Sequence, residues 1–320
     1  MTIPPAFKLG LHALLDGLID YAGMFPPANL PLEEALANFQ RYRDGVDSWM
    51  LGGFILPVDR TADAARLLEA NTAERPVRIT LLSRGGPDWT TFFSGLDAEL
   101  ERIAAFRQHL GGRVEAAVLE TRLPGAELDF QIRADALVAH AAERLAEADL
   151  LPYFEIPPDP QWQARTGRAV EAIAKTAETQ PARYKLRTGG VQAAAFPEPE
   201  TVAWALIRAG ANGLGMKCTA GLHHPVRRHR AEVGTKMNGF VNVFAGALLS
   251  QLHGLTAEEL TAVLSEEEPE RFSFSDGGIA WNGLEATTAD VERLRRSFAI
   301  SFGSCSFDEP RADMRELGWL

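Results

Sequence analysis

Short apolar runs alternate with amphipathic helical stretches along most of this 320-residue chain. Such alternation favours a parallel sheet that is covered by helices. The turn after the first run, YAGMFPPANL, lacks the glycine-rich fingerprint that a doubly wound sheet usually carries at that point. At this length these observations predict an α/β fold, a (β/α)8 or TIM barrel, formed by residues 1–320 as a single domain with a C-terminal extension.

Seven of the apolar runs are predicted to be the first seven strands of the barrel. In chain order they are GLIDYAG, WMLGGFILP, VRITLLS, VEAAVLE, LLPYFEIP, RYKLRTGG and LGMKCTAG. Between them apolar residues recur at intervals of three and four, as in a helix that packs one face on a sheet. The predicted helices are PLEEALANFQRYR, ADAARLLEA, LDAELERIAAFRQHL, ADALVAHAAERLAEA, GRAVEAIAKTAET and PETVAWALIRAG.

The eighth unit is less regular. GFVNVFAGALLSQL is predicted to be the helix after strand seven, TAEELTAVLSEE a second helix, and RFSFSDGGIAWNG either strand eight or a hairpin. The tail SFAISFGSCSFDEPRADMRELGWL is predicted to fold back over one end of the barrel. Residues 255–320 are therefore expected to form an irregular eighth unit and the C-terminal extension.

The formal net charge of -11 bears on the class of partner. Nucleic acid and anionic membranes are recognised by basic surfaces, so neither is predicted as a partner. A small anionic substrate stays compatible with this charge, because the local field of a cavity can oppose the global one. Many barrels of this size assemble into homo-oligomers, and the sequence leaves the oligomeric state open.

The start of the sequence and the cysteine count predict a cytoplasmic protein. MTIPPAFKLGLHALLDGLIDYAG lacks a basic leading segment and carries His12, Asp16 and Asp20 within its apolar part, so neither a signal peptide nor a membrane span is predicted. The two cysteines, Cys218 and Cys305, have no C-x-x-C spacing and cannot form a disulfide framework.

Charged residues share one face of several predicted strands. Side chains alternate between the two faces of a strand, and the apolar set should pack on the helices. The opposite set then points into the barrel, near the carboxyl ends of the strands where barrel active sites form. Its members are Asp20, Glu120, Glu155, Lys185, Arg187 and Lys217.

The inward lysines suggest imine chemistry. Two neighbouring ammonium groups, partly buried, lower one another's proton affinity, and a neutral amine can attack a carbonyl to form a Schiff base. Lys185 is the candidate nucleophile, Lys217 the residue that tunes it, and Glu155 or Asp20 the proton carrier. The alternative is that both lysines form purely structural ion pairs, which also occur in barrels.

The two lysine motifs resemble those of class I aldolases of the barrel fold, most closely the deoxyribose-phosphate aldolase family. YKLRTGG is similar to that family's strand-six Lys-Thr-Ser-Thr-Gly pattern, with Lys185, Thr188 and Gly189 in matching places. MKCTAG is similar to its strand-seven Lys-Ala-Ser-Gly-Gly pattern around Lys217. The resemblance implies an aldolase or lyase that forms a Schiff base and needs no cofactor.

The resemblance covers only these two strands, and the sequence departs from it in three ways. Arg187 has no counterpart in the family's strand-six motif, GLHHPVR replaces a short phosphate-binding turn, and the tail is longer. The family's specific substrate therefore does not transfer. What remains is an expectation of a small carbonyl substrate that carries an anionic group.

Residues around the strand ends supply candidate substrate contacts. Glycine-rich turns after late barrel strands often present backbone N–H groups to anions, and arginines add charge-assisted hydrogen bonds. The apolar loop DYAGMFPPA could form a cavity wall. The predicted substrate-binding residues are Arg187, Thr188, Gly189, Gly190, Glu120, Tyr21, His223, His224 and Arg227.

Two alternative functions stay open. His223 and His224, with Glu155, could serve a metal-dependent hydrolase or lyase, but the familiar histidine spacings of metal enzymes are absent and no metal site is predicted. In the other alternative, the barrel is a non-catalytic binding protein and the charged set only holds an anion.

The two cysteines are predicted to have no catalytic role. Cys305 has no basic or histidine neighbour in the sequence and is expected to be inert, and Cys218 is expected in the core.

Overall fold

The computed structural model describes residues 8–69 and 75–320. The first seven residues of the predicted cytoplasmic start, and Ala70 at the end of the predicted helix ADAARLLEA, lie outside this range. No helix of the described residues is long and apolar enough to cross a membrane.

Strands and helices alternate along the described chain as the sequence predicts. The strands are β1 Ile19–Tyr21, β2 Leu51–Pro57, β3 Val77–Leu82, β4 Val114–Arg122, β5 Leu151–Glu155, β6 Arg183–Arg187, β7 Met216–Thr219, β8 Arg228–Arg230, β9 Thr235–Met237, β10 Phe272–Ser275, β11 Gly278–Trp281, β12 Leu284–Thr287 and β13 Ala299–Ser304. The α-helices are α1 Leu9–Leu15, α2 Leu32–Arg43, α3 Thr61–Leu68, α4 Trp89–Leu110, α5 Gln131–Glu147, α6 Trp162–Ala177, α7 Pro199–Ala211, α8 Phe240–His253, α9 Ala257–Ser265, α10 Thr288–Ser297 and α11 Asp308–Glu316.

Eight parallel strands of the described residues close into a barrel, which confirms the predicted TIM-barrel fold. β1 to β7 follow one another around the barrel in chain order, and β13 closes the ring between β7 and β1. The connecting helices cover the outside, with one apolar face turned to the strands. Each of the seven predicted strands coincides with one of β1 to β7.

The eighth strand of the barrel comes from the tail, which corrects one prediction. Of the two alternatives predicted for RFSFSDGGIAWNG, the hairpin is the one observed: β10 and β11 pair antiparallel with each other and continue into β12. Along β10 buried and exposed residues alternate, as expected for a strand with one solvated face. β13 is buried along nearly its whole length, as a barrel strand must be.

Beyond β13 the tail packs near the carboxyl ends of the strands, whereas its first half, predicted to fold over an end of the barrel, is β13 itself. There α11 approaches the loop that follows β7, where His223 meets Glu309. The same helix is fixed to the rest of the protein by Arg311 and Arg315, whose guanidinium groups bind the carboxylate of Asp47. The tail thus supplies both a barrel strand and a helix beside the barrel mouth.

The apolar face of β13 is held by a cluster of aromatic rings. Phe302 is fully buried and stacks on Phe240 at a centroid distance of 5.4 Å, with Phe244 at 5.8 Å. Burial of these aromatic rings favours the packing of β13 between β7 and β1.

We expect Phe302→Ala to lower the free energy of unfolding by about 3–5 kcal/mol, because it opens a cavity against α8. Phe130→Ala is the matched control, since 62% of that side chain is exposed. Urea unfolding followed by circular dichroism checks both. Equal midpoints for the two variants would mean that β13 is not part of the barrel core.

Candidate active site

A cavity of about 420 Å³ opens at the carboxyl ends of the strands. Its location agrees with the end of the barrel where the βα loops of this fold form active sites. The residues that line it are Ala22, Phe25, Pro26, Pro27, Ile55, Leu82, Ser83, Arg84, Glu120, Arg122, Glu155, Lys185, Arg187, Gly190, Val191, Thr219, Ala220, Gly221, His223, Gly303 and Cys305.

Lys185 lies on this cavity and is held between two carboxylates. Its Nζ is 2.6 Å from Glu120 Oε2 and 2.9 Å from Glu155 Oε2. The register explains the arrangement, because Lys185 stands opposite Glu155 in the β5–β6 pair. Only 4% of Lys185 is exposed, so its accessible surface is the part that faces the cavity.

Lys217 lies beside Lys185 but belongs to a different set of contacts. The two residues are register partners in the β6–β7 pair. Lys217 Nζ is 2.6 Å from Asp20 Oδ2 and also pairs with Glu120 Oε1. Its ammonium group stands 5.5 Å from the ring centre of Tyr153, a cation–π distance.

Glu120 therefore bridges the two lysines, with one carboxylate oxygen on each. Burial disfavours its charge, but Lys185 and Lys217 outweigh burial and hold the pKa of Glu120 below its ordinary value. Burial likewise opposes the charge of Lys217, while Asp20 and Glu120 raise the pKa of Lys217 above its ordinary value. The expected mutual lowering of proton affinity is thus overridden at Lys217, because carboxylates separate the two ammonium groups.

Glu155 links Lys185 to two arginines at the mouth of the cavity. Its Oε1 accepts hydrogen bonds from Arg122 Nη2 at 3.1 Å and from Arg187 Nε at 3.2 Å. Burial acts to raise the pKa of Glu155, but Lys185, Arg187 and Arg122 together lower it to about 2. Glu155 is therefore an anion with cations on both oxygens.

Asp20 is fixed by hydrogen bonds to β2 and β13. Its Oδ1 accepts a hydrogen bond from the backbone N–H of Gly53 at 2.6 Å, and its Oδ2 accepts one from Ser301 Oγ at 2.8 Å. A Cβ at Gly52 would stand 2.2 Å from Asp20 Oδ1, so a glycine is required beside this carboxylate. Asp20 does not line the cavity of Lys185, and its clearest structural role is to hold Lys217.

A second cavity, of about 220 Å³, lies at the amino ends of the strands. Asp20, Lys217, Tyr153 and Ser301 line it from the barrel interior. Lys217 and Asp20 therefore face the opposite end of the barrel from Lys185. The predicted inward set spans the barrel interior, and only part of it reaches the cavity at the carboxyl ends.

The loops after β6 and β7 touch through glycine. A Cβ at Gly189 would stand 2.6 Å from Gly221 Cα, and Gly221 has a positive φ of 76°. Thr188 Oγ1 donates to the carbonyl oxygen of Ala220 at 2.7 Å and is buried. Of the predicted turn residues, Gly190 lines the cavity, whereas Thr188 and Gly189 join the two loops beneath it.

Tyr21, His224 and Arg227, all predicted substrate contacts, lie away from the cavity lining. Tyr21 is next to Asp20, so strand alternation turns it to the helix side, where its ring meets Phe39. His224 Nδ1 is 2.5 Å from Asp313 Oδ2 on α11. The guanidinium of Arg227 donates to Asn238 Oδ1 at 3.0 Å within the core.

His223 does line the cavity, but the two histidines do not converge on Glu155. His223 Nδ1 is 2.8 Å from Glu309 Oε2, so both histidines bind carboxylates of α11. Within residues 8–69 and 75–320, no group of three His, Cys, Asp or Glu side chains is arranged to hold a metal ion.

Three residues in or beside the cavity lining were missed at the level of sequence. Arg122 follows Glu120 by two residues and so shares its face of β4, a signal that extending the predicted strand would have found. Cys305 lies next to β13, which the sequence did not identify as a barrel strand. Glu309 sits on α11, and no spacing in the sequence links it to His223.

Comparisons with known proteins support the fold. No family model and no curated protein matches the chain. Among solved structures, the tetrameric deoxyribose phosphate aldolase from Aeropyrum pernix is similar at a TM-score of 0.51 and 13% identity, over 98% of this chain and 100% of that one. A structure of the IOLI protein with a bound zinc atom is 11% identical, with a TM-score of 0.35 over 73% of this chain and 83% of that one.

These likenesses have different weight. At 13% identity the first shows a shared barrel fold and no more. The second is too distant in structure to carry an argument. The class that fold and comparison define is a TIM barrel with a charged interior.

We expect Lys217→Met to lower the free energy of unfolding by about 3–5 kcal/mol, since Asp20 and Glu120 would lose a shared cation in a buried place. The matched control is Lys175→Met, which removes an exposed lysine that pairs with Asp135 and should change stability little. Urea midpoints measure both. A Lys217→Met protein as stable as the control would show that the buried ion pairs do not support the fold.

Stability should also depend on Glu155 at acid pH. Its pKa lies at about 2 in the folded protein against an ordinary 4.5, so its contribution is present above pH 4.5 and is lost as the pH falls toward 2. The loss is about 3 kcal/mol. In Glu155→Gln the fall of stability between these pH values should be smaller by that amount. Urea titrations across this pH range measure it, and superimposable profiles would contradict the assignment.

Proposed function

We propose that this protein is an aldolase-type lyase that acts on a small carbonyl substrate through a Schiff base on Lys185. The observation that carries the proposal is a nearly buried lysine whose exposed surface faces a cavity at the catalytic end of a TIM barrel. The shared fold with an aldolase supports the same reaction class. A lysine in such a place is suited to attack a carbonyl carbon, with loss of water, to give an imine.

The charge balance around Lys185 supports its use as a nucleophile. Ion pairs join a set of charged groups in the barrel interior and at the cavity mouth, and we call this set the barrel charge cluster. It has four cationic groups and three carboxylates: Lys185, Lys217, Arg122 and Arg187, with Asp20, Glu120 and Glu155. Lys185 therefore shares its two carboxylates with three other cations, Lys217, Arg122 and Arg187.

Lys185 is the amine of this cluster that faces the cavity. The pKa of Lys217 is raised by Asp20 and Glu120 against the effect of burial. Lys217 therefore acts as a fixed cation that occupies one oxygen of Glu120. Glu120 is thus shared between the two lysines and does not belong to Lys185 alone.

Glu155 is the proposed proton carrier, in preference to Asp20. It contacts Lys185 and lines the same cavity, whereas Asp20 faces the opposite end of the barrel. Lys185 is the strongest of the cations that lower the pKa of Glu155. When Lys185 becomes a neutral amine this influence disappears, and Glu155 becomes a better base at the step that needs one.

An anionic group on the substrate fits the mouth of the cavity. Arg84, Arg122 and Arg187 line it, and two of them are bound to Glu155, which leaves further guanidinium N–H groups for a ligand. Guanidinium groups bind carboxylates and phosphates through paired hydrogen bonds. The substrate class is therefore a small aldehyde or ketone that carries a carboxylate or phosphate.

Borohydride trapping tests the mechanism. The protein is incubated with acetaldehyde, glyoxylate or pyruvate, reduced, and digested for mass spectrometry. We expect a stable adduct on Lys185 with at least one of these probes, because reduction converts an imine into a secondary amine that survives digestion.

The matched variants are Lys185→Met, which should abolish the adduct, and Lys175→Met, which removes an exposed lysine and should leave it unchanged. An adduct of equal yield in Lys185→Met would refute the Schiff-base mechanism. Bound ligand that is recovered unchanged, with no adduct, would instead indicate a non-catalytic anion-binding barrel.

A further inference from the structure

A cysteine, a histidine and a glutamate lie in line at the edge of the cavity. Cys305 Sγ is 3.9 Å from His223 Nε2, and His223 Nδ1 is 2.8 Å from Glu309 Oε2. Both Cys305 and His223 line the cavity of Lys185. A nucleophile is activated by this kind of arrangement, in which a base contacts the thiol and a carboxylate binds the other side of the base.

The fold itself brings these three residues together. Cys305 follows the last residue of β13, and His223 lies in the loop after β7, which is the neighbouring strand of the barrel. Glu309 is in the first turn of α11, where its backbone N–H donates to Ser306 Oγ at 3.0 Å. The separation of 82 residues between Cys305 and His223 is why the sequence predicted an inert thiol.

The charges around His223 favour an imidazolium beside the thiol. Burial lowers the pKa of His223, but its hydrogen bonds to Cys305 and Glu309 outweigh burial and raise it to about 9. Glu309 also faces His224, and Tyr21 is a titratable group near Cys305. A cationic partner of this kind stabilises a thiolate.

The second cysteine gives an internal contrast. Cys218 is buried on the helix side of β7, and burial raises the pKa of its thiol to about 12. It has no part in the cavity lining. One chain thus holds a thiol in a reactive setting and a thiol in an inert one.

We propose that Cys305 is a second nucleophile of this cavity and adds reversibly to a small aldehyde that carries an anionic group. The Sγ–C bond forms as the C=O π bond breaks, and the carbonyl oxygen takes the proton from His223 to become a neutral hydroxyl group. The product is a hemithioacetal that keeps the anionic group of the aldehyde, and His223 is left as a neutral imidazole. The step needs no oxidant, cofactor or leaving group. The aldehyde class rests on the proposed function, whereas the reactivity of the thiol does not.

The guanidinium groups of the cavity should favour negatively charged electrophiles at the thiolate. Arg122 and Arg187 line the same cavity as Cys305, so an anionic reagent should reach the thiol more readily than a neutral one of equal size. Iodoacetate and iodoacetamide are such a pair.

The first experiment measures alkylation in the native protein at pH 7, where no carbonyl compound is present and no imine can form. We expect iodoacetate to label Cys305 about tenfold faster than it labels N-acetylcysteine, with Cys218 unlabelled. The ratio of iodoacetate to iodoacetamide rates should also exceed that of N-acetylcysteine. Labelling of Cys305 no faster than that of N-acetylcysteine would overturn the proposal.

Two variants test the assigned partners. His223→Gln should slow the labelling of Cys305 about tenfold, and Glu309→Gln should slow it less, because Glu309 acts only through the imidazole. Unlabelled Cys218 in the same spectra reports that each variant is folded. Unchanged rates in folded His223→Gln would show that the thiol is not activated by the histidine.

The second experiment tests hemithioacetal formation. Glyoxylate should protect Cys305 of the Lys185→Met protein from alkylation, and dialysis should restore the rate. Glycolate is the matched control, since it has similar size and charge but no aldehyde. Equal protection by both would mean that the anion only blocks the cavity, and the covalent step would be wrong. Protection of Cys305 without any trapped adduct on Lys185 of the native protein would support this proposal while the proposed function failed.

Discussion

The shared carboxylate of Glu120 is the constraint on which the interior of this barrel depends. One oxygen holds Lys185 and the other holds Lys217, and all three side chains are buried, with at most 4% of each residue exposed. Removing any one of the three would take an ion-pair partner from a buried charge, which is costly in a poorly solvated interior. Strands β4, β6 and β7 are thus linked by side chains as well as by their backbone hydrogen bonds.

This bridge also separates two kinds of lysine that the sequence presents as equals. Lys217 faces the amino ends of the strands and is locked as a cation by Asp20 and Glu120. Lys185 faces the opposite cavity, where a substrate can arrive. Two lysines at the same register therefore have different surroundings, because their shared carboxylate lies between them.

Much of this arrangement could be predicted from the sequence, because strand alternation is a local property. Alternation alone placed Glu155 and Lys185 on one face, and the structure brings them within ion-pair distance. The eighth strand could not be found in this way, since β10 also alternates and alternation alone does not tell a barrel strand from a strand of a hairpin. The contact between Cys305 and His223 depends on that strand and was missed with it.

The two cavities have a consequence for engineering. In many barrels, layers of aliphatic side chains fill the interior. In this barrel, the side chains that separate the two cavities include the ion pairs of Lys217 with Asp20 and Glu120. We call these side chains the partition of the barrel. Under the proposed function, thermal robustness and reactivity are consequently set by the same atoms. A designer who retunes the charge of this partition to change the chemistry will change the melting temperature as well, so new specificity is better sought in the loops at the mouth.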